Sequence, residues 1–333
     1  MSRTPRLATV LAVAALVVTA GASGAAAAPA ADVTPGAVVR SAAVTAAEQQ
    51  AVLEYWTPER MAAAVPIEQL AGDVLARLPR TGTPAAGAPM VVEPTPAADL
   101  TDAGITAFPH PGGPWTGGGL VTSTAGRVFF TYQGRQASCS GNAVTSANGS
   151  VVMTAGHCIK LDGAYHTNWM FVPGYDHGSE PYGRWTARQV FVTPQWHSME
   201  NINYDIGAAV VNLQNGNRLT DVVGGQGVAF NQSRGVAMYA FGYPAASPYD
   251  GSRLIYCSGN TFNDPLFSTA IGMNCNMTGG SSGGPWFRNF NEATGAGIQN
   301  SVNSFGYTFF PNVMFGPYFG TDGQNVYQNA QAA

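Results

Sequence analysis

Gly279-Gly280-Ser281-Ser282-Gly283-Gly284-Pro285 is the stretch on which the reading of this chain turns. Four glycines flank two serines. Glycine reaches backbone conformations closed to other residues and lets another molecule come close. With Ser282 as a nucleophile, the N–H groups of Gly280 and Ser282 can converge on one point. Two such donors make an oxyanion hole, and losing one costs about 10²–10³ in rate. A flexible Gly-Ser spacer is the plain alternative, but spacers rarely run straight into Pro-Trp, here Pro285-Trp286.

A serine nucleophile needs a base, and chain order selects it. Gly280-x-Ser282-x-Gly284 matches the nucleophile elbow of α/β-hydrolases, in which the histidine follows the serine. The histidines here are His110, His157, His166, His177 and His197, and all precede Ser282. A subtilisin order needs an aspartate ahead of His157, and Asp99 and Asp102 lie in a Pro-rich stretch. The order left is His157…Asp205…Ser282. His157 sits in Thr154-Ala155-Gly156-His157-Cys158, at the end of a predicted strand. An imidazole with a pKa near 6.5 suits a general base. Asp205 stands directly before the apolar run that starts at Ile206. A buried carboxylate needs a hydrogen-bond partner, and an imidazole N–H is a good one. Such a pair fixes the tautomer and supports the imidazolium. Taken singly, His157 reads equally well as a structural histidine and Asp205 better as an acidic surface turn.

The surroundings read as β structure. Val128–Tyr132 is aromatic and β-branched, with a turn at Gln133-Gly134. Strands are expected over 137–144, 151–154, 189–192, 206–213, 236–241 and 298–304, with a hairpin turn at Asn148-Gly149. Helical periodicity is weak throughout, including Asn325–Ala332. Residues 117–333 therefore suit an all-β barrel or sandwich. The 41 glycines and 22 prolines point the same way. Charged residues are 10% of the 333, against about 25% in an average soluble domain, so whole-chain disorder is not expected. With 15 Lys plus Arg against 19 Asp plus Glu, the net charge of −4 lacks the cationic face that nucleic-acid binding requires.

The N-terminal third has a different texture. Arg3 and Arg6 precede an apolar run from Leu7 to Ala20 and small residues to Ala31. This is the anatomy of a secretory signal peptide, residues 1–30, and the run is too short for a membrane span. Residues 32–77 are Ala-rich and read as helical, with Thr57-Pro58-Glu59 as a helix start. From Leu78 to Gly119 prolines and glycines recur too often for a regular ladder, which reads as a linker. Residues 31–116 are thus expected to be a partly helical prosegment with a Pro-rich linker, and 117–333 the main domain. A secreted, extracellular monomer without stable membrane association is expected. Export also favours disulfides among Cys139, Cys158, Cys257 and Cys275, for which three pairings exist. Neighbour pairing would close two short loops, each contributing roughly 3 kcal/mol. A zinc site from Cys139, His157, Cys158 and His166 is the rival, without supporting ligand spacing.

Together, Thr154–Cys158, Asp205-Ile206 and Gly280–Pro285 resemble the chymotrypsin-like (trypsin-like) serine peptidases, nearest their secreted bacterial branch close to the V8-like glutamyl endopeptidases. The resemblance covers Arg127 to Phe319. It implies two antiparallel six-stranded β-barrels with the site between them. It also implies His157 as general base, Asp205 as its orienter, Ser282 as nucleophile, and a Cys139–Cys158 disulfide beside the histidine. Peptide-bond hydrolysis without metal or cofactor follows, on a protein or peptide substrate, with the chain's own prosegment as a partner before maturation. Asn276, Thr278, Ser301 and Ser304 are the expected pocket residues. Two departures matter. Ser281 stands where animal members carry an aspartate that pairs with a freed N-terminus. Asn276 and the absence of a histidine after Ser282 support neither Arg/Lys nor Glu preference. An esterase with the same triad, or a non-catalytic binding protein on the same fold, are the alternatives.

Overall fold

Tyr132-Gln133-Gly134-Arg135 sets the first hairpin. Gln133 and Gly134 both take positive φ, 47° and 78°, the primed turn whose twist matches paired strands. The strands Ala125–Tyr132 and Arg135–Val144 then pair from Tyr132↔Arg135 to Ala125↔Asn142. Every residue of Ala125–Tyr132 is buried, because both faces of this strand are covered. The expected second hairpin forms differently. Among Asn148 and Gly149 only Gly149 takes positive φ, 62°, and the Asn148 side chain accepts from the Ser150 N–H at 3.1 Å.

The computed structural model describes residue 1 and residues 32–96 and 107–333. The signal-peptide reading of residues 1–30 falls outside these, apart from Met1. The chain is mostly β. From Arg135–Val144 the order continues through Val151–Thr154, Gly207–Val211, Trp185–Val192 and Thr167–Pro173 back to Ala125–Tyr132. These six antiparallel strands form a closed barrel. Its interior is a continuous apolar core that includes Val128, Phe130, Val152, Phe171, Val190 and Val210.

The C-terminal half is built from two further sheets. One runs through Ala296–Val302, Pro285–Asn291, Ala237–Gly242 and Ile255–Asn260. The other pairs Ile271–Asn274 with Phe310–Gly316. The Ser304 N–H donates to the Phe315 carbonyl at 3.0 Å and joins them. The Cys257–Cys275 disulfide ties the first sheet to the residue following the Ile271–Asn274 strand. The arrangement is that of a chymotrypsin-like double barrel. Among the described residues it departs from an all-antiparallel pattern where Gly227–Phe230 runs parallel to Ala296–Val302 and where Val65–Pro66 runs parallel to Arg135–Val144.

Residues 32–96 pack onto both halves. Thr57 caps the Pro58–Ala63 helix, accepting from the Arg60 N–H, as the Thr-Pro-Glu signal predicts. A capping box of Thr45 and Glu48 starts the Ala46–Tyr55 helix. Trp56 is fully buried against Phe129, with ring centroids 5.5 Å apart, and its Nε1–H donates to the Asn168 carbonyl at 2.7 Å. The segment is not purely helical, however. Ala37–Ser41 extends the barrel sheet beside Trp185–Val192. The Pro-rich stretch also forms ladders, against expectation. Met90–Val92 pairs with Gly227–Phe230, and His110–Pro114 with Ile255–Asn260. Both are edge strands, where a missing N–H is tolerated.

A second departure is the C-terminal Thr321–Ala332 helix. Its polar composition hides the periodicity. Val326, Tyr327 and Ala330 are buried on the barrel, the Tyr327 ring lies tilted against Phe230 with centroids 5.5 Å apart, and its hydroxyl donates to the Thr145 carbonyl at 2.8 Å. Tertiary packing rather than propensity holds such a helix.

Candidate active site

The loop of Gly279–Pro285 is held by Ser140 and by Asn303. The Ser140 N–H donates to the Ser282 carbonyl at 2.7 Å, and the Ser140 hydroxyl donates to the Gly280 carbonyl at 2.9 Å. On the opposite side the Gly283 N–H donates to the Asn303 carbonyl, and the Asn303 N–H to the Gly284 carbonyl, both at 2.8 Å. The Asn303 amide donates to the Ser281 and Phe241 carbonyls and accepts from Trp286 Nε1–H. Gly283 shows why glycine is needed. Its φ is 80°, and a Cβ there would lie 2.1 Å from Thr154 Oγ1 and 2.4 Å from the Ser140 carbonyl.

His157 lies on a single 3₁₀ turn, Gly156–Cys158, directly after the Val151–Thr154 strand. The Cys139–Cys158 disulfide fastens this turn to the neighbouring strand. The sulfurs are bonded to each other, and His166 Nε2 is engaged by the His157 carbonyl at 2.8 Å, so the zinc alternative loses its ligands. Neighbour pairing thus holds for both disulfides. Asp205 follows the 3₁₀ turn Ile202–Tyr204 and precedes Gly207–Val211.

These elements bring His157 and Asp205 together in full burial. Asp205 Oδ2 lies 2.7 Å from His157 Nδ1, and Oδ1 accepts from the His157 backbone N–H at 2.8 Å. The Ser304 hydroxyl adds a bond to Oδ2 at 2.5 Å. Three hydrogen bonds thus converge on one fully buried carboxylate, as a buried polar group requires.

Ser282 comes to the same cleft, but its hydroxyl bonds elsewhere. It donates to Oε1 of Glu68, in the first turn of the Ile67–Ala76 helix. The other oxygen, Oε2, accepts from the Gly280 N–H at 2.9 Å. His157 Nε2 lies 3.9 Å from Oε1 and has no hydrogen-bond partner among the described residues. Burial pushes the His157 imidazole down. The Asp205 carboxylate, and Glu68 after it, overcome this and lift it to about 10. Burial likewise pushes the Glu68 carboxyl up, but His157 and the Ser282 hydroxyl hold it below the usual carboxylate range.

A cavity of about 450 Å³ opens beside Ser282. Asn276, Thr278 and Ser304 line it, with Met277, Val313 and Met314 among the apolar residues. The polar ends of two of these are already engaged. Asn276 Oδ1 accepts from the Tyr249 hydroxyl at 2.6 Å, and the Thr278 hydroxyl donates to the Ala246 carbonyl at 2.6 Å. Ser301 stands apart. It is fully buried, and its hydroxyl donates to the Pro317 carbonyl at 2.8 Å.

Reasoning from the sequence misses Glu68, Ser140 and Asn303. An acid in a first helical turn is ordinary, because it opposes the helix dipole, so Glu68 carries no local signal. Ser140 and Asn303 act through contacts that only the fold creates.

Among solved structures, the protease Anisep from Arthrobacter nicotinovorans is 50% identical, with a TM-score of 0.60 over 63% of this chain and 96% of that one. The chain belongs to the chymotrypsin-like serine peptidases. A thermostable serine protease, AL20, from an extremophilic microorganism stands beside it at 43% identity and TM-score 0.61, covering 64% of this chain and 99% of that one. A Glu endopeptidase at 16% identity and TM-score 0.51 shares the fold of this peptidase family, over 71% of this chain and 99% of that one. No family model matches. An extracellular metalloprotease of Bacillus subtilis strain 168 is 26% identical over 174 residues, so the chain spans 50% of that curated relative's length. The extracellular relative and the two disulfides fit a secreted protein.

Proposed function

We propose that the chain is a secreted serine endopeptidase. Ser282 attacks the peptide carbonyl, His157 takes the proton and then gives it to the leaving amine, and Asp205 holds the imidazole in the productive tautomer. Water then repeats the cycle on the acyl-enzyme. The observation that carries this reading is the convergence on one carboxylate oxygen. Glu68 Oε1 accepts from the Ser282 hydroxyl and lies 3.9 Å from His157 Nε2, whose other nitrogen is on Asp205. Nucleophile and base therefore share one neighbour. The Gly280 N–H already holds an anionic oxygen at 2.9 Å, which supports its role with Ser282 in an oxyanion hole.

In this reading residues 1–30 are the signal peptide and 31–116 a removable prosegment. The cavity beside Ser282 takes the substrate side chain. Its walls carry Met277, Val313 and Met314, and Asn276 and Thr278 turn their polar ends to other partners, so an uncharged side chain fits best. The processed enzyme is expected to label with a fluorophosphonate probe, and Ser282→Ala to abolish that labelling. Undiminished labelling of the variant would place the nucleophile elsewhere.

A further inference from the structure

Glu68 makes contacts that catalysis by Ser282 does not need. It comes from the N-terminal third, yet its carboxylate occupies the centre of the cleft. Oε2 sits on the Gly280 N–H at 2.9 Å, where a negatively charged oxygen would develop on the substrate. Oε1 accepts the hydrogen bond that the Ser282 hydroxyl would otherwise give to the base. Gly279 permits the approach, since a Cβ there would lie 3.0 Å from Oε2.

The chain on both sides of Glu68 is anchored. Upstream, Val65-Pro66 runs parallel to the Arg135–Val144 strand, with Val65 opposite Ala137 and Pro66 opposite Ser138. Arg127, itself buried, donates to the Ala64 carbonyl at 3.2 Å. Ile67 is fully buried. Downstream, the chain passes beside the turn that carries Asp205. The Pro79 carbonyl accepts from the Ile202 N–H at 2.8 Å, and the Thr81 and Gly82 carbonyls accept from the Asn201 and Asn203 amides at 2.6 and 2.8 Å. Arg80 lies over Phe305 and Tyr307, 5.6 and 5.7 Å from the ring centroids, at the rim of the cavity. The segment therefore crosses the cleft from one wall to the other, with Glu68 at the nucleophile.

We infer that Glu68 is the latch of an inactive precursor: its carboxylate fills the oxyanion hole and diverts the Ser282 hydroxyl from His157 until residues 32–96 leave. This deepens the reading of Ser282 and His157 as nucleophile and base, and rests on it. An anion suits the place for the reason the site suits a transition state, since aligned N–H donors stabilise negative charge. Any displacement of the Ile67–Ala76 helix opens the site. The helix is otherwise held by its own packing, by the Val65–Pro66 strand and by the carbonyl contacts at 79–82, so removing the carboxylate alone frees the nucleophile while the segment stays in place.

The test is the rate of fluorophosphonate labelling of chain that retains residues 32–116, read on the band of unprocessed size. Glu68→Ala is expected to label at least tenfold faster than the parent. Labelling at the parent's rate, while the processed enzyme labels fully, overturns the latch. Should Glu68→Ala not be recovered folded, Glu68→Gln, which keeps the side chain's shape, decides on the same criterion. The double variant Glu68→Ala/Ser282→Ala separates the two readings. It is expected not to label, and labelling there would condemn the nucleophile rather than the latch.

Discussion

Replacing Asp205 by asparagine would test the catalytic geometry most sharply, because the structure dictates which way the amide must turn. Oδ1 faces the His157 backbone N–H at 2.8 Å, a group that can only donate. The asparagine oxygen must therefore take that place, since the alternative sets two donors against each other in a buried site. The amide NH₂ then faces His157 Nδ1, 2.7 Å away. An NH₂ there requires Nδ1 to accept, so the imidazole proton moves to Nε2. Nε2 is the atom that must take the proton from Ser282, and in this tautomer it cannot. Ser304 does not rescue the arrangement, because its hydroxyl can rotate to accept from the amide. The volume is unchanged and no buried group is orphaned, so folding should survive. A triad with the wrong tautomer loses about 10⁴ in kcat, which is about 5 kcal/mol of transition-state stabilisation. The assay is peptide hydrolysis by the processed Asp205→Asn enzyme, with active sites counted by a fluorophosphonate under forcing conditions. A kcat within tenfold of the parent would refute the assignment of Asp205 and the tautomer argument with it.

Two further outcomes follow from the same geometry. Cleavage mapped on a mixed peptide library should show uncharged residues before the cut bond, and a dominant preference there for Arg, Lys, Asp or Glu would contradict the neutral lining that the cavity keeps once Glu68 has left. In unprocessed chain carrying Ser282→Ala, two histidines should shape stability against pH. His157, lifted to about 10, keeps in the folded state a proton that the unfolded chain gives up near pH 6.5, so stability falls as pH rises from 6.5 towards 10. His166, pushed by burial to about 3, has the opposite sign, and stability falls as pH drops below 6.5. Melting temperatures across pH 4–9 check this. Adding Glu68→Gln should flatten the alkaline limb, and an unchanged limb would show that Glu68 does not sustain the His157 charge.

Most of the β architecture is legible along the chain because strand formation leaves local marks. The aromatic and β-branched run before Gln133-Gly134 predicts a hairpin, and that hairpin closes with both turn residues at positive φ. The Thr57 cap is legible for the same reason, since a helix start depends on neighbours a few residues away. The Pro-rich stretch misleads because edge strands need few N–H donors. Three residues at 90–92 suffice for a ladder with Gly227–Phe230. The Thr321–Ala332 helix misleads because its stability comes from a surface outside itself, the barrel under Val326, Tyr327 and Ala330.

Chain order and residue type select, without coordinates, the imidazole, carboxylate and hydroxyl proposed here as a triad, and the fold class that can bring them together. Those choices depend on chemistry carried by each residue and on exclusions that need only a list of positions. The occupant of the cleft was decided by tertiary structure alone. Glu68 and Ser282 are 214 positions apart, and nothing local distinguishes this glutamate from any other acid at a helix start. Its place depends on a strand pairing at Val65-Pro66 and on carbonyls at 79–82 meeting the turn before Asp205. Such contacts exist only once both halves have folded, which is why a sequence can name the machinery and yet not show whether it stands open or closed.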